Sequence, residues 1–570
     1  MESSTNHFRP SGNQPVKVRL ISDFNLEVLG RSLTRDESYP VAVASAPFGQ
    51  VFPALLSTKG DPAEFAMVWT SPEKTIPGFE DVLRAGKIDE ERLNHELDEF
   101  VHCLQEAQKQ FRAVFVVSWT LPSYLRGNGI LGMKKQGLRR VLLGLNLSLA
   151  EKLEDLPGVY LLDGQRWMDS GKNSYSPKLW YLTKSPYQPH VFDAAAQDLK
   201  AAIAAVLGNS RKLLVLDLDN TLWGGVVGDL GWDNLRLGGH DYVGEAFVDF
   251  QRALKSLRNR GVLLAIASKN DESVALDALA KHPEMVLRAE DFAARRINWN
   301  DKAANIVELA EELNLGLQSV VFIDDNPAER ARVREALPEV FVPEWPDDKT
   351  LYASTLAELG CFDSAHVTAE DASRSDMYAA ETSRKRARAS FTSVEDWLHS
   401  TQTVVKVEEF SGANRERVAQ LLNKTNQMNL STRRLSSREL EAWMQPQNRK
   451  LWAFRVSDRF GDSGLTGIVS LEVEAGRASI IDFVLSCRVF GRNVERVMLA
   501  CAAQYGATLG LKDLQAHYRP TPKNGPCLNF LKSCGFAVEN ENVYVWQLKQ
   551  TYPFPEGIEI LGIPAGTSSN

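Results

Sequence analysis

The stretch KLLVLDLDNT, residues 212–221, decides the reading of this chain: four apolar residues run unbroken into two acids, Asp217 and Asp219. An uninterrupted apolar run is what a strand covered on both faces of a parallel sheet requires. Acids at the end of such a strand are costly unless a cation or a paired charge compensates them. In open α/β sheets that end is also where ligands collect. Three further pieces fall at equivalent places downstream. VLLAIAS (262–268) ends in Ser268, SVVFIDDN (319–326) carries Asp324 and Asp325, and Lys302 opens a helical stretch after a loop. Such acids can gather around Mg2+, a hard cation that takes one or two carboxylates plus phosphate oxygens. Lys302 and the Ser268 hydroxyl would then hold the phosphoryl oxygens.

These pieces, in this order, resemble the haloacid dehalogenase superfamily of phosphatases and phosphotransferases over residues 211–345. The resemblance implies that Asp217 is a nucleophile forming an aspartyl-phosphate and that Asp219 protonates the leaving group and then activates water. It implies Mg2+ on Asp217, the Asp219 backbone carbonyl and Asp324, with Asp325 an alternative, and it adds Thr221 to the phosphate-binding set with Ser268 and Lys302. The text LDLDNTLWGGVVGDLGWDNLRLG (216–238) is similar to the FkbH-like group, enzymes that make glyceryl thioesters on acyl carrier proteins. PFGQ (47–50), PKLWYLTKSPY (177–187), RVAQLLNKTNQMNLSTRR (417–434), FGDSGLTGIVSLE (460–472) and IDFVLSCRVFGRNVE (481–495) extend that similarity over residues 16–548.

Outward toward the N-terminus, strand-like VKVRLIS, YPVAVASA, FAMVWTS, AVFVVSWT and VYLLDG alternate with helical text. That alternation predicts a wound parallel α/β sheet. Ser22-Asp23-Phe24-Asn25 stands where SGNH hydrolases, which this unit resembles, carry Gly-Asp-Ser. A phenyl ring cannot attack, and His190 is at most a remnant of a catalytic base. The unit is expected to be an SGNH-like fold without hydrolase activity, serving for docking or as scaffold. The literal Gly461-Asp462-Ser463 lies in Gly-rich text between strands and reads as a hairpin.

Toward the C-terminus, strands TVVKVEEF, KLWAFRVSD, LTGIVSLEVE and ASIIDFVLS precede a helix from Asn493 and a last strand, VYVWQLK. Arg488-Val-Phe-Gly491-Arg492-Asn493 is similar to the turn by which N-acetyltransferase-like folds hold a pyrophosphate at a helix N-terminus. By that likeness, Asn426, Arg488, Gly491 and Arg492 are candidates for an acyl or pantetheine site. Cys487, before the turn and near two arginines, is a candidate nucleophilic thiolate. The polar run Asn423, Thr425, Asn426, Asn429 and Thr432 is expected to line the same site, whereas Cys501, Cys527 and Cys534 read as packing.

The expected organisation is a polar tail (1–15), a degenerate SGNH-like domain (16–208), a phosphatase domain with a Rossmann-like parallel sheet (209–345), a helical connector (346–400), an N-acetyltransferase-like α+β domain (401–548) and a free tail (549–570). Arg384, Lys385, Arg386 and Arg388 in the connector read as a solvated helix face. With 65 Lys and Arg against 73 Asp and Glu, the net charge of −8 argues against nucleic acid or anionic membranes as partners. Six cysteines without a CxxC pair exclude a disulfide scaffold or zinc ribbon. The polar start has no secretory pattern, so a cytoplasmic protein is expected. The leading functional expectation is an enzyme that dephosphorylates a phosphoglyceryl donor, by resemblance 1,3-bisphosphoglycerate, and loads glyceryl on a phosphopantetheinylated acyl carrier protein. Either Cys487 or the carrier's pantetheine would accept the acyl group. The alternatives are a plain small-molecule phosphatase and a non-catalytic carrier-protein adaptor.

Overall fold

A computed structural model of the chain describes residues 15–562, apart from 36–38, 58–62, 123, 126–128, 240, 366–383, 385–390, 392, 475 and 549–551. It divides into two compact units, Met1–Asn209 and Ser210–Asn570.

The first unit is a five-stranded parallel sheet built from β1 (Val16–Ser22), β2 (Val41–Ser45), β3 (Phe65–Trp69), β4 (Ala113–Val117) and β5 (Val159–Leu162), in the order β2-β1-β3-β4-β5. Every residue of β3 and β4 is buried, as a central strand with helices on both faces must be. The helix Glu90–Gln108 shows how the cover forms. Leu93, Leu97, Phe100, Leu104 and Ala107 recur at three- and four-residue steps and are buried, and the Asp89 carboxylate caps the helix by accepting from Arg92 N.

The second unit opens with β6 (Leu213–Leu216), β7 (Leu263–Ser268), β8 (Phe292–Ile297) and β9 (Val320–Ile323). They form a parallel sheet in the order β8-β7-β6-β9. The four residues of β6 are fully buried, each Leu or Val contributing about 1.5–3 kcal/mol of transfer free energy. β6 lies between β7 and β9, so the chain ends of three neighbouring strands converge where Asp217, Ser268 and Asp324 stand.

The C-terminal part of this unit is built on one mixed sheet. Its strands are β10 (Thr403–Glu409), β11 (Met428–Asn429), β12 (Arg449–Asp458), β13 (Gly461–Glu474), β14 (Arg477–Leu485), β15 (Asp513–His517), β16 (Ala537–Asn540), β17 (Val543–Gln547) and β18 (Ile558–Leu561). The order is β16-β17-β15-β14-β13-β12-β10-β18. The parallel β14–β15 pair holds only from Ala478 to Ile480; beyond it the edge of β14 is taken by β11, Met428 facing Leu485. The expected fold class, two parallel α/β sheets and a C-terminal α+β unit, is the observed one.

Two expectations are corrected. The Pro- and Gly-rich end does not hang free throughout, because Ile558–Leu561 adds a parallel edge strand to Thr403–Lys406. Arg384 is not on a solvated face: it is 2% exposed and its Nε lies 2.5 Å from Asp458 Oδ2, while Lys385, Arg386 and Arg388 lie outside the described residues. A short hairpin leaves Asp458 as a buried acid, and a buried acid recruits a cation. Ser463 sits at the start of β13, 2% exposed, next to that same network, with its Oγ 3.4 Å from Arg492 Nη1. Among the described residues no helix is long and apolar enough to cross a membrane.

Candidate active site

Asp217 follows the last residue of β6, Ser268 ends β7, Asp324 follows β9, and Lys302 is the first residue of the helix Lys302–Glu312, capped by Asp301. The sheet therefore delivers all four to one rim. Carboxylate oxygens of Asp217, Asp324 and Asp325 lie within 4.8 Å of one another. Lys302 Nζ donates to Asp324 Oδ2 at 2.6 Å and stands 3.0 Å from Asp217 Oδ1. The second contact is a charge contact: Asp217 Oδ1 is buried with no donor aligned on it. A rim of three carboxylates with one buried oxygen unsatisfied suits a hard divalent cation.

Burial pushes Asp324 up to about 6, with the charge of Asp217 adding and Lys302 opposing. Lys302 is buried too, which disfavours its charge, yet Asp217 and Asp324 outweigh that and hold it above the ordinary lysine value. Asp219 occupies a separate niche. Its Oδ1 accepts from Trp223 Nε1 (2.9 Å) and Val227 N (3.1 Å), and its Oδ2 from Asn270 Nδ2 (3.0 Å). Burial raises its pKa against those three donors, which equips it to carry a proton. Its carboxylate is thus a fixed acid–base group outside the carboxylate cluster. A cavity of about 400 Å³ opens over Asp217, Asp219, Ser268, Lys302 and Asp325, with Lys269 and Glu329 paired at 2.6 Å on its wall.

Thr221 does not line that cavity. It is fully buried, and its Oγ1 accepts from Asp325 N at 3.2 Å, so it fixes the Asp324-Asp325 turn. Arg330, which sequence reasoning missed, does the same from the other side, donating to Asp324 O and Asp325 O at 2.8 Å each. Asn270 was missed as well. It donates to Asp219 Oδ2 and, at 3.2 Å, to Ser268 Oγ, tying the acid to the hydroxyl. Its position two residues beyond the strand-ending Ser268 was the available signal. Lys349 Nζ donates to Tyr352 Oη at 2.5 Å, Tyr352 Oη donates to Asn220 O at 3.4 Å, and Asp325 acts electrostatically on Lys349.

Asn270→Ala is expected to lower kcat by about 10- to 100-fold with little change in KM, since it disorients the proton-transfer group. Steady-state phosphate release checks this, and the pH profile should broaden or shift; an unchanged kcat contradicts the role.

Among solved structures the chain is similar to the N-terminal part of the protein BF1531 from Bacteroides fragilis, which contains a phosphatase domain and was solved complexed with Mg. The two are 30% identical, over 62% of this chain and 95% of that one, with a TM-score of 0.56. The chain belongs to the haloacid dehalogenase-type phosphatase-domain proteins. This haloacid dehalogenase-type chain is also similar, over 25% of its length, to the ribosomal-protein-S18-alanine N-acetyltransferase from Escherichia coli (9% identical, 94% of that chain, TM-score 0.21). A spermidine N-acetyltransferase from Vibrio cholerae, solved with CoA and spermine, matches 26% of this chain and 97% of its own, at 17% identity and a TM-score of 0.21. No protein-family model and no curated protein matches the chain.

In the C-terminal part of this haloacid dehalogenase-type chain, Asn426 and Arg488 line one cavity. Gly491 and Asn493 take left-handed backbone (φ +72° and +60°), a conformation that Gly and Asn tolerate, and the helix Val494–Thr508 follows. Arg492 is corrected: it is 2% exposed, ion-paired to Asp458 at 3.2 Å, and away from the cavity lining. Of the polar run, Thr425 joins Asn426 on the lining. Asn429 is instead fully buried, its Nδ2 donating to Thr425 O, and Asn423 braces Leu435 through both backbone groups. Cys487 opens a short 3-10 turn, but its side chain lies outside those described. Cys501, Cys527 and Cys534 are buried; burial pushes the first two thiols up to about 12, which suits packing.

In the N-terminal unit Phe24 is 2% exposed and packs edge-on against Trp69 and Tyr187, centroids 5.6 and 5.5 Å apart. The Asp23 carboxylate accepts from Ser71 N and Oγ, both at 2.8 Å, and His190 Nε2 lies 3.2 Å from Ser174 Oγ. Each polar group is thus engaged locally, with an aromatic ring where a nucleophile would stand. Phe24→Ser is expected to gain no esterase activity on short acyl esters, because the supporting constellation is absent around it among the described residues. Hydrolysis by that variant that a serine-directed phosphonate blocks contradicts this.

Proposed function

We propose that the chain is an FkbH-like, Mg2+-dependent phosphatase that also loads glyceryl as a thioester on an acyl carrier protein, with 1,3-bisphosphoglycerate as donor. The observation that carries the phosphatase half is the meeting of Asp217, Asp324 and Asp325 within 4.8 Å, with Lys302 across from them and Asp219 held apart as the proton carrier. In that half an Asp217 carboxylate oxygen bonds to phosphorus while the ester P–O bond breaks, and Asp219 gives its proton to the departing oxygen. Water then attacks the phosphorus of the aspartyl-phosphate, Asp219 takes the water's proton, and phosphate leaves as the Asp217 carboxylate re-forms. Lys302 and Ser268 steady the phosphoryl oxygens throughout. Mg2+ held by Asp217, Asp324 and Asp325 would neutralise charge on those oxygens when bound.

In the acyl-transfer half a thiolate sulfur bonds to the acyl carbon, the C–O bond to phosphate breaks, and phosphate departs with the electron pair. An acyl phosphate is already activated, so the protein supplies orientation and charge. The thiol is that of Cys487 or of the carrier's pantetheine. Support comes from the sequence similarity at 417–434 and 481–495, and from the cavity that Asn426 and Arg488 share beside the Cys487 turn. The setting is the cytoplasm and polyketide-type or related metabolism.

Cys487→Ala separates the two thiols. If Cys487 carries the acyl group, the variant should stop loading the carrier while phosphate release at Asp217 persists. Loading at the normal rate assigns the attack to pantetheine directly.

A further inference from the structure

The helix Leu138–Glu154 of the N-terminal unit has a divided surface. Leu138, Leu142, Leu145, Leu149 and Leu153 recur at three- and four-residue steps and are buried in that unit's core. On the opposite face Arg140, Leu143, Gly144, Leu147, Glu151 and Glu154 form one exposed stripe, with Leu143 at 57% and Leu147 at 61% exposure. The 3-10 turn Gly129–Met133, packed against this helix, adds exposed Ile130, Leu131 and Met133. A single exposed leucine needs no explanation, but a row of apolar side chains in one place marks a contact surface.

Charge along the stripe runs against the helix dipole. Lys134, Lys135, Arg139 and Arg140 stand at the N-terminal end, where partial positive charge gathers, and Glu151, Glu154 and Asp155 at the C-terminal end. Lys152, the cation of the last turn, is taken up by Asp98 at 2.6 Å. Among the described residues no ion pair engages Arg140, Glu151 or Glu154. Gly144 sits mid-helix, where Gly weakens a helix relative to Ala, yet a Cβ there would meet nothing within 4 Å. Packing within the chain therefore does not require this glycine.

We propose that this face is a two-fold interface between two copies of the chain, the helix Leu138–Glu154 of one lying antiparallel on that of the other. Such a contact is isologous, so the basic end of each helix meets the acidic end of its partner twice over. The register is set by the glycine. With Leu147 filling the space over Gly144 of the partner subunit, Arg140 comes opposite Glu151 of the partner subunit, because both pairs are centred on the same point between Leu145 and Asn146. Gly144 then serves the close approach of the two backbones. An acidic partner protein would match the basic end alone and would leave the acidic end without a role. The N-terminal unit, with Phe24 where a nucleophile would stand, gains a function in assembly.

Sedimentation velocity of the full chain over about 1–100 μM tests this, a range suited to a contact with fewer than the ~20–30 residues a side of a standard interface. The unsubstituted chain should pass from one-chain to two-chain mass across it. Arg140→Glu and Glu151→Arg should each raise the dissociation constant at least about tenfold, since each sets like charges together at both ends of the contact. Mixing these two variants should restore a dimer, because an acidic stripe then meets a basic one. Gly144→Gln should also dimerise less, while Gln keeps the helix. Unfolding would not explain these losses: Arg140→Glu puts an acid at the helix N-terminus, which favours the helix, so its thermal midpoint should not fall. Dimerisation unmoved by both charge reversals, or two variants that stay apart on mixing, overturns the proposal. A one-chain mass throughout the range overturns it as well and leaves the face to another occupant, such as an acidic protein.

Discussion

Asp217→Asn is expected to abolish phosphate release from a phosphate ester, with a loss on the order of 10⁴-fold or more, while the chain remains folded. The size of the effect follows from covalent catalysis. The amide of Asn is a poor nucleophile toward phosphorus, and the residual rate then comes only from the surrounding charge and binding. The fold should persist because Lys302 keeps Asp324, at 2.6 Å, as its partner when one of two carboxylates becomes neutral. Phosphate release and a thermal melt measured on the same preparation check both halves. Turnover above a tenth of the unsubstituted enzyme's removes Asp217 from the nucleophile's role.

Lys302→Met should cost both activity and stability. Lys302 is 3% exposed and holds two carboxylates at 3.0 and 2.6 Å; Asp324 is fully buried and Asp217 nearly so. Removing one partner of a buried ion pair typically costs about 3–5 kcal/mol, because the remaining charges stay uncompensated. Urea unfolding should therefore show a midpoint clearly lowered at an unchanged slope. Because the orphaned charges are both negative, the loss should be larger in EDTA than in millimolar Mg2+, which can take over part of the neutralisation. A midpoint equal to that of the unsubstituted protein under both conditions contradicts the assignment of Lys302 as the cation that balances this cluster.

Asp217, Ser268, Lys302 and the Asp324-Asp325 pair were legible because each is the polar end of an apolar run or the start of a helix. In a parallel sheet such ends converge whatever the loops do. Thr221 was legible as a position, but its bond to the backbone was not: the approach of Asp325 N to its hydroxyl is set by the turn after β9. Asn270 and Arg330 act through partners set by loop paths and packing, 51 residues away in the case of Asn270 and Asp219, which leaves no periodicity to read. Arg384 misled because a run of basic residues ordinarily faces water, and its buried partner Asp458 lies 74 residues later. The short β18 escaped for a related reason. Four residues alternating half-buried and exposed, set among Pro and Gly, carry no local strand signal until the edge of β10 is there to pair with them.

The most direct measurement is the intact mass of a phosphopantetheinylated acyl carrier protein after incubation with the full chain, Mg2+ and freshly generated 1,3-bisphosphoglycerate. The proposed function predicts a glyceryl increment on the carrier together with released phosphate; in Asp217→Asn the glyceryl increment is lost, because the ester phosphate stays on the cargo. Released phosphate with an unchanged carrier mass would contradict it and leave a small-molecule phosphatase in its place.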